Sequence, residues 1–288
     1  MLIRWACLIS LFSLLLTEIS TAQVNEHILV DGIQRDYILH LPKGLPKGAP
    51  LVLAFHGYTG DAKGMMEEFG INAVADEKGF AVCYPEGLKD QKGNGFWQVG
   101  YSFHQNLKVD DIKFITTLAD ALQVRFGLSR ENTFITGISN GGDLCNMLIC
   151  RTTGKFKAAA PLLGCIMKDI YDSCRNSKPV PVFMLNGMKD DITYWDGDMQ
   201  DHQGYGPYLP TKWMLDFRIA QTGCGSPRTD TLVGNPRVED DYIIRQKFRN
   251  TLTGNQVWMY TVKNGRHEIP AYVNFANEVW DFFLQYVK

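Results

Sequence analysis

The sequence predicts an α/β domain with a mostly parallel central sheet, helices on both faces and an antiparallel N-terminal hairpin. Three observations point to it. Asp31-Gly32 stands between the apolar-rich runs Ile28 to Val30 and Tyr37 to Leu41, and such a dipeptide between alternating runs favours a hairpin turn. After it, short apolar runs alternate with longer segments of helical periodicity, as repeating strand–helix units require in a sheet covered on both sides. A glycine-flanked serine, in Gly137-Ile138-Ser139-Asn140-Gly141-Gly142, then joins one such strand to one such helix.

In chain order, Pro50 to Phe55 reads as a buried strand, Met65 to Lys78 as a helix and Phe80 to Tyr84 as a second strand. Asp110 to Phe126 reads as a helix with Ile112, Ile115, Leu118 and Leu122 on one face, and Asp110 and Asp111 suit its positive end. Glu131 to Thr136 is the strand before the serine, and an apolar helix begins near Asp143 and runs through Cys150. Lys157 to Leu163 and Val180 to Leu185 are further strands, Thr211 to Gln221 a helix, Val257 to Val262 a strand and Ala271 to Tyr286 a terminal helix.

Met1 to Ala22 reads as a cleavable secretory signal, with Arg4 at its start, an apolar core from Trp5 to Leu16 and the small-residue site Ser20-Thr21-Ala22. The apolar run is short for a bilayer span, so no membrane anchor is expected. Residues 23–288 are then a single catalytic domain, secreted or periplasmic. A net charge of −2 gives no indication of a nucleic-acid partner.

Losing Cys7 with the signal leaves six cysteines. Cys83, Cys145 and Cys150 lie in apolar segments and read as small buried hydrophobes. Cys174 and Cys224 lie in polar, loop-like sequence and are the expected disulfide. With no Cys-x-x-Cys pair and no His-Glu-x-x-His helix, no metal is expected, and the chemistry below implies no cofactor.

A serine on a tight strand-to-helix turn presents its hydroxyl clear of the backbone, and the helix N-terminus beside it favours negative charge. Ser139 is therefore the candidate nucleophile of an acyl transfer. It needs a base within hydrogen-bond reach, which in such turns follows the serine and an acid in chain order. His27, His40, His56 and His104 precede it, leaving His202 and His267. His267 comes just after the strand ending at Val262, whereas His202 has no strand directly before it, so His267 is the candidate base. The acid should follow another strand end, at Asp190 or Asp191 after Val180 to Leu185. Two donors for a developing oxyanion are expected from the N–H groups of Asn140 and of Tyr58, with Thr59 the alternative to Tyr58. His56 reads as a buttress of that loop.

These residues, with Phe55-His56-Gly57, Tyr84-Pro85-Glu86-Gly87, Val109-Asp110-Asp111, Ala160-Pro161, Trp213 and Gly223-Cys224, resemble the secreted esterase family of poly(3-hydroxybutyrate) depolymerases and feruloyl esterases. The resemblance spans most of the chain after the signal and implies the α/β-hydrolase fold, and a serine carboxylesterase working through an acyl-enzyme. The family's acid motif, laid on Asn186 to Trp195, favours Asp190. Its Gly-Gly-His motif matches Gly265 and His267, while Arg266 and Ile269 replace a glycine and a tryptophan. The implied substrates are feruloyl or acetyl esters of plant polysaccharides, with 3-hydroxybutyrate polymers or oligomers as the alternative, and a peptidase or a non-catalytic carbohydrate binder further off. Two aromatic-rich loops stand near the inferred site, one with Phe96, Trp97, Tyr101 and Phe103, the other with Tyr194, Trp195, Tyr205 and Tyr208. Trp97, Trp195 and Tyr194 are the expected contacts to an acylated oligosaccharide or hydroxycinnamoyl ester.

Overall fold

The computed structural model describes residues 22–234 and 239–288. The expected signal segment lies outside the described residues, apart from Ala22. The hairpin forms as expected: β1 (Ala22–Val30) pairs antiparallel with β2 (Ile33–Leu41) around Asp31-Gly32, where both residues have positive φ.

Strands β3 (Leu51–Phe55), β4 (Ala81–Pro85), β7 (Thr133–Ile138), β8 (Ala158–Leu162), β9 (Val182–Gly187) and β12 (Gln256–Val262) form the parallel centre. A two-residue pair, β5 (Leu88–Lys89) and β6 (Gly95–Phe96), stands apart from them. Beyond β12, β11 (Tyr242–Arg249) and β10 (Arg228–Val233) continue the sheet antiparallel. The full order is β1-β2-β4-β3-β7-β8-β9-β12-β11-β10.

Alternation along each central strand feeds two cores, because successive side chains leave opposite faces of a strand. Leu51, Leu53 and Phe55 face the core built with α3 (Asp111–Phe126), α4 (Asn140–Arg151), α5 (Lys168–Cys174) and α6 (Thr211–Thr222). Val52 and Ala54 face the other, built with α1 (Ala62–Phe69), α2 (Ile71–Lys78) and α7 (Phe275–Leu284). Apolar residues on both faces explain why these strands read as continuous hydrophobic runs.

The structure departs from the expectations in three places. The helix expected over Met65 to Lys78 is two helices, broken at Gly70, whose φ of 70° ends α1 and starts α2. β10 and β11 were not expected at all. The disulfide joins Cys150 to Cys174 with the Cα atoms 4.5 Å apart, correcting both the expected Cys174–Cys224 bridge and the reading of Cys150 as a free hydrophobe. Helix α5 packs on α4 and carries Cys174 to the end of that helix. Cys224, just past α6, is a free thiol whose Sγ lies 3.5 Å from the Asn255 carbonyl. No helix among the described residues is long and apolar enough to cross a membrane.

Candidate active site

The candidate residues lie on loops at the carboxyl ends of β3, β7, β9 and β12, the edge where open α/β sheets place their ligands. Ser139 caps α4 with φ 57° and ψ −122°, a conformation costly for a residue with a Cβ. Its surroundings hold it there, and they exclude side chains. A Cβ on Gly137 would lie 2.4 Å from the Gly141 carbonyl oxygen, and one on Gly141 would lie 2.4 Å from that of Phe55. One on Gly142 would meet the Leu162 oxygen at 2.9 Å. The Ser139 N–H donates to the Leu162 carbonyl at 2.9 Å. The glycines of the motif thus let α4 press backbone to backbone on β3 and β8.

A second glycine contact joins the other two loops. A Cβ on Gly187 would lie 2.3 Å from the Gly265 oxygen, and the N–H of Lys189 donates to that same oxygen at 2.9 Å. This brings the end of β9 against the turn after β12. His267 Nδ1 and Asp190 Oδ2 are 2.8 Å apart, and His267 Nε2 and Ser139 Oγ are also 2.8 Å apart. The Asp190 side chain is fully buried, and its other oxygen accepts the N–H groups of Ile192 and Thr193 at 2.9 and 2.8 Å. Asp191 is exposed and stands 3.8 Å from Arg266. His202 is exposed and lies 3.2 Å from Asp198; neither is brought to Ser139.

Among the described residues no acceptor is found for the N–H of Tyr58 or of Asn140, whereas the N–H of Thr59 donates to Gly95 O at 2.8 Å. Two unspent donors beside a serine hydroxyl can receive an oxyanion. Asn140 is held by a pair of bonds to Trp97: its Oδ1 accepts the Trp97 N–H at 2.7 Å and its Nδ2 donates to the Trp97 carbonyl at 3.1 Å. The Trp97 indole donates to the His56 carbonyl at 2.9 Å. Both ring nitrogens of His56 are engaged, with Gly57 O at 2.7 Å and with the Gly87 N–H at 3.0 Å. Burial holds His56 below the usual histidine range.

The expected substrate contacts need correction. Trp97 is fully buried, because its polar groups are all spent on Asn140 and His56; it positions the loop and cannot touch a ligand. Trp195 is half-buried against the core, and Tyr194 is exposed on the surface. Neither borders the cavity of about 240 Å³ that opens at Ser139 and His267. Its aromatic walls are Tyr58, Tyr101, Tyr205 and Tyr208, joined by Met167, Cys165 and Asp143. Asp143 was missed. The available signal was its spacing: four residues after Ser139 on a helix, it falls on the same face as the serine.

These elements define the class: an α/β-hydrolase fold with a serine at the turn between β7 and α4. Residues 35–192 match the model of the family described as esterase PHB depolymerase. The chain belongs to that family. It is 25% identical over 91% of its length to a bifunctional acetylxylan esterase/xylanase of Neocallimastix patriciarum, and 27% identical over 43% to poly(3-hydroxyalkanoate) depolymerase C of Paucimonas lemoignei. It spans 35% and 30% of those relatives' own lengths. Among solved structures, the acetyl xylan esterase from Aspergillus awamori superposes with a TM-score of 0.64 at 15% identity, over 91% of this chain and 99% of that one.

Proposed function

We propose that this chain is an exported serine esterase that removes acyl groups, feruloyl or acetyl, from plant polysaccharide esters through an acyl-enzyme. One observation carries the reading: the unbroken line of hydrogen bonds from Ser139 Oγ through His267 to buried Asp190, ending at a cavity. In it, His267 Nε2 takes the proton of Ser139 as Oγ attacks the ester carbonyl. Asp190, accepting from Nδ1, orients the ring and offsets the charge it gains. The Tyr58 and Asn140 N–H groups receive the oxyanion, and collapse of the tetrahedral species expels the alcohol, which leaves with the proton from His267. Water then attacks the acyl-enzyme by the same route, releasing the acid and restoring Ser139.

The modest cavity suits a small acyl group, and the acetylxylan-cleaving relative aligns along nearly the whole chain. The family itself favours a second reading, hydrolysis of 3-hydroxybutyrate oligomers. Ester turnover by Ser139→Ala on acetylated xylan, methyl ferulate and hydroxybutyrate oligomers tests all of this. The expected loss is roughly 10⁴-fold or more; a variant as active as the wild type ends the serine mechanism, and the preferred member of the panel decides between the readings.

A further inference from the structure

We propose that Asp143 is a specificity residue: its buried carboxylate accepts a hydrogen bond from a hydroxyl on the ester, so that hydroxylated esters are preferred over unhydroxylated ones of equal size. The proposal rests on the serine-esterase reading above and extends it to the substrate.

Asp143 lies one helical turn beyond Ser139, its N–H bonded to the Ser139 carbonyl at 2.9 Å, and lines the cavity together with Ser139 and His267. Its residue surface is 2% exposed, so the carboxylate is held almost wholly out of bulk water. The Cys165 N–H donates to Oδ1 and the Tyr101 hydroxyl to Oδ2, both at 2.6 Å, with the Cys165 thiol beside them. An ionised carboxylate offers about four acceptor sites, so this one keeps acceptor capacity after its protein donors are counted.

No Lys or Arg among the described residues forms an ion pair with it. A buried charge without a counter-ion is costly, and the Cys165 N–H and Tyr101 hydroxyl use only part of what an ionised carboxylate can accept. An acceptor with spare capacity, on a residue that lines the cavity beside Ser139 and His267, is what a substrate hydroxyl would satisfy. Burial pushes the Asp143 carboxyl up to about 6, which leaves it ionised at neutral pH.

Two sources of hydroxyl share this chemistry: a hydroxyacyl group, and a polyol or sugar alcohol. They are separated by kcat/KM on two matched pairs, 4-nitrophenyl 3-hydroxybutyrate against 4-nitrophenyl butyrate, and glycerol monoacetate against propyl acetate. The wild type should favour the hydroxylated member of one pair by roughly 10- to 100-fold, as expected of a hydrogen bond to a charged acceptor. The pair that responds identifies the side of the ester that is read. Asp143→Asn should shrink that ratio several-fold, and Asp143→Ala should bring it close to one. Tyr101→Phe removes the neighbouring hydroxyl and should leave the preference in place.

A wild-type ratio near one in both pairs overturns the proposal without requiring any variant to fold. An unchanged ratio in folded Asp143→Asn also overturns it, as does a ratio lost in Tyr101→Phe but kept in Asp143→Asn, which would assign the reading to the phenol. Failure of the underlying mechanism is seen separately, as Ser139→Ala retaining turnover of these esters. A flat ratio with turnover that still depends on Ser139 would defeat Asp143 alone.

Discussion

The serine turn and the loop from Met188 to Tyr208 border the same cavity and are built in opposite ways. The turn is held by backbone against backbone, through contacts at Gly137, Gly141 and Gly142 that leave no room for a Cβ. The loop is held by side chains that accept backbone N–H groups. Asp190 takes those of Ile192 and Thr193, Asp198 those of His202 and Gln203, and Asp201 that of Gly206. Its end is tied by the Tyr208 hydroxyl, which accepts the Tyr194 N–H at 3.0 Å. The first construction admits almost one residue type per position. The second tolerates many, so chemistry is written in a fixed motif and the cavity wall in exchangeable side chains.

The contrast can be broken at its stiff end first. Gly141→Ala should cost about 4 kcal/mol or more, since backbone contacts cannot relax as a side chain would; urea unfolding measures it, and a loss below about 1 kcal/mol would mean that the turn yields to a Cβ. Next, Cys150→Ser with Cys174→Ser releases the far end of the helix that bears the turn. A bridge closing a segment of this length contributes about 3 kcal/mol, and equal unfolding midpoints with and without reductant in the wild type would deny it. In the loop, Asp198→Ala strands two backbone donors and should cost about 2 kcal/mol locally. Its signature is faster hydrogen exchange across residues 198–208, with little change at α4.

The smallest effect concerns pH. Asp143 is shifted upward by burial, opposed by the Tyr101 hydroxyl, the Cys165 N–H and thiol, and the charge of His267. Its folded value of about 6 lies above the unfolded carboxyl near 4, so between these values the native state binds the extra proton. Stability therefore rises as pH falls through 6 and is lowered above it. Asp143→Asn should remove this slope; unfolding free energies at pH 4.5, 5.5 and 7.0 for both proteins, compared as differences, would reveal it, and parallel curves would contradict it.

The same contrast explains what could be read from sequence. The parallel core was legible because Leu51 to Phe55 and its neighbours are apolar on both faces, and the hairpin because Asp31-Gly32 names its own turn. β10 and β11 were not: Arg228, Asp230, Arg245 and Lys247 interrupt them, and they join the sheet by β11 pairing with β12 and β10 with β11. Ser139 is read from its glycine-flanked turn and His267 from order along the chain. Order leaves Asp190 and Asp191 open, and only the family resemblance favours Asp190. The structure places Ser139, His267 and Asp190 in one hydrogen-bonded line. The substrate wall was misassigned at Trp97 because an aromatic residue in a loop carries no mark of the side it faces. Only the partner of its backbone N–H and carbonyl, the Asn140 amide, and that of its indole, the His56 carbonyl, show that it serves the turn.

Ser139 sits at φ 57° in a region where glycine is at ease and serine is not. The strain, of order 1 kcal/mol, is a standing conflict between durability and activity located in one residue. Laboratory evolution that scored heat tolerance alone would be rewarded for placing glycine at position 139, and would arrive at a sturdier protein without the hydroxyl that the proposed mechanism needs. Thermostable versions of this chain have to be sought by selecting for turnover and melting temperature together.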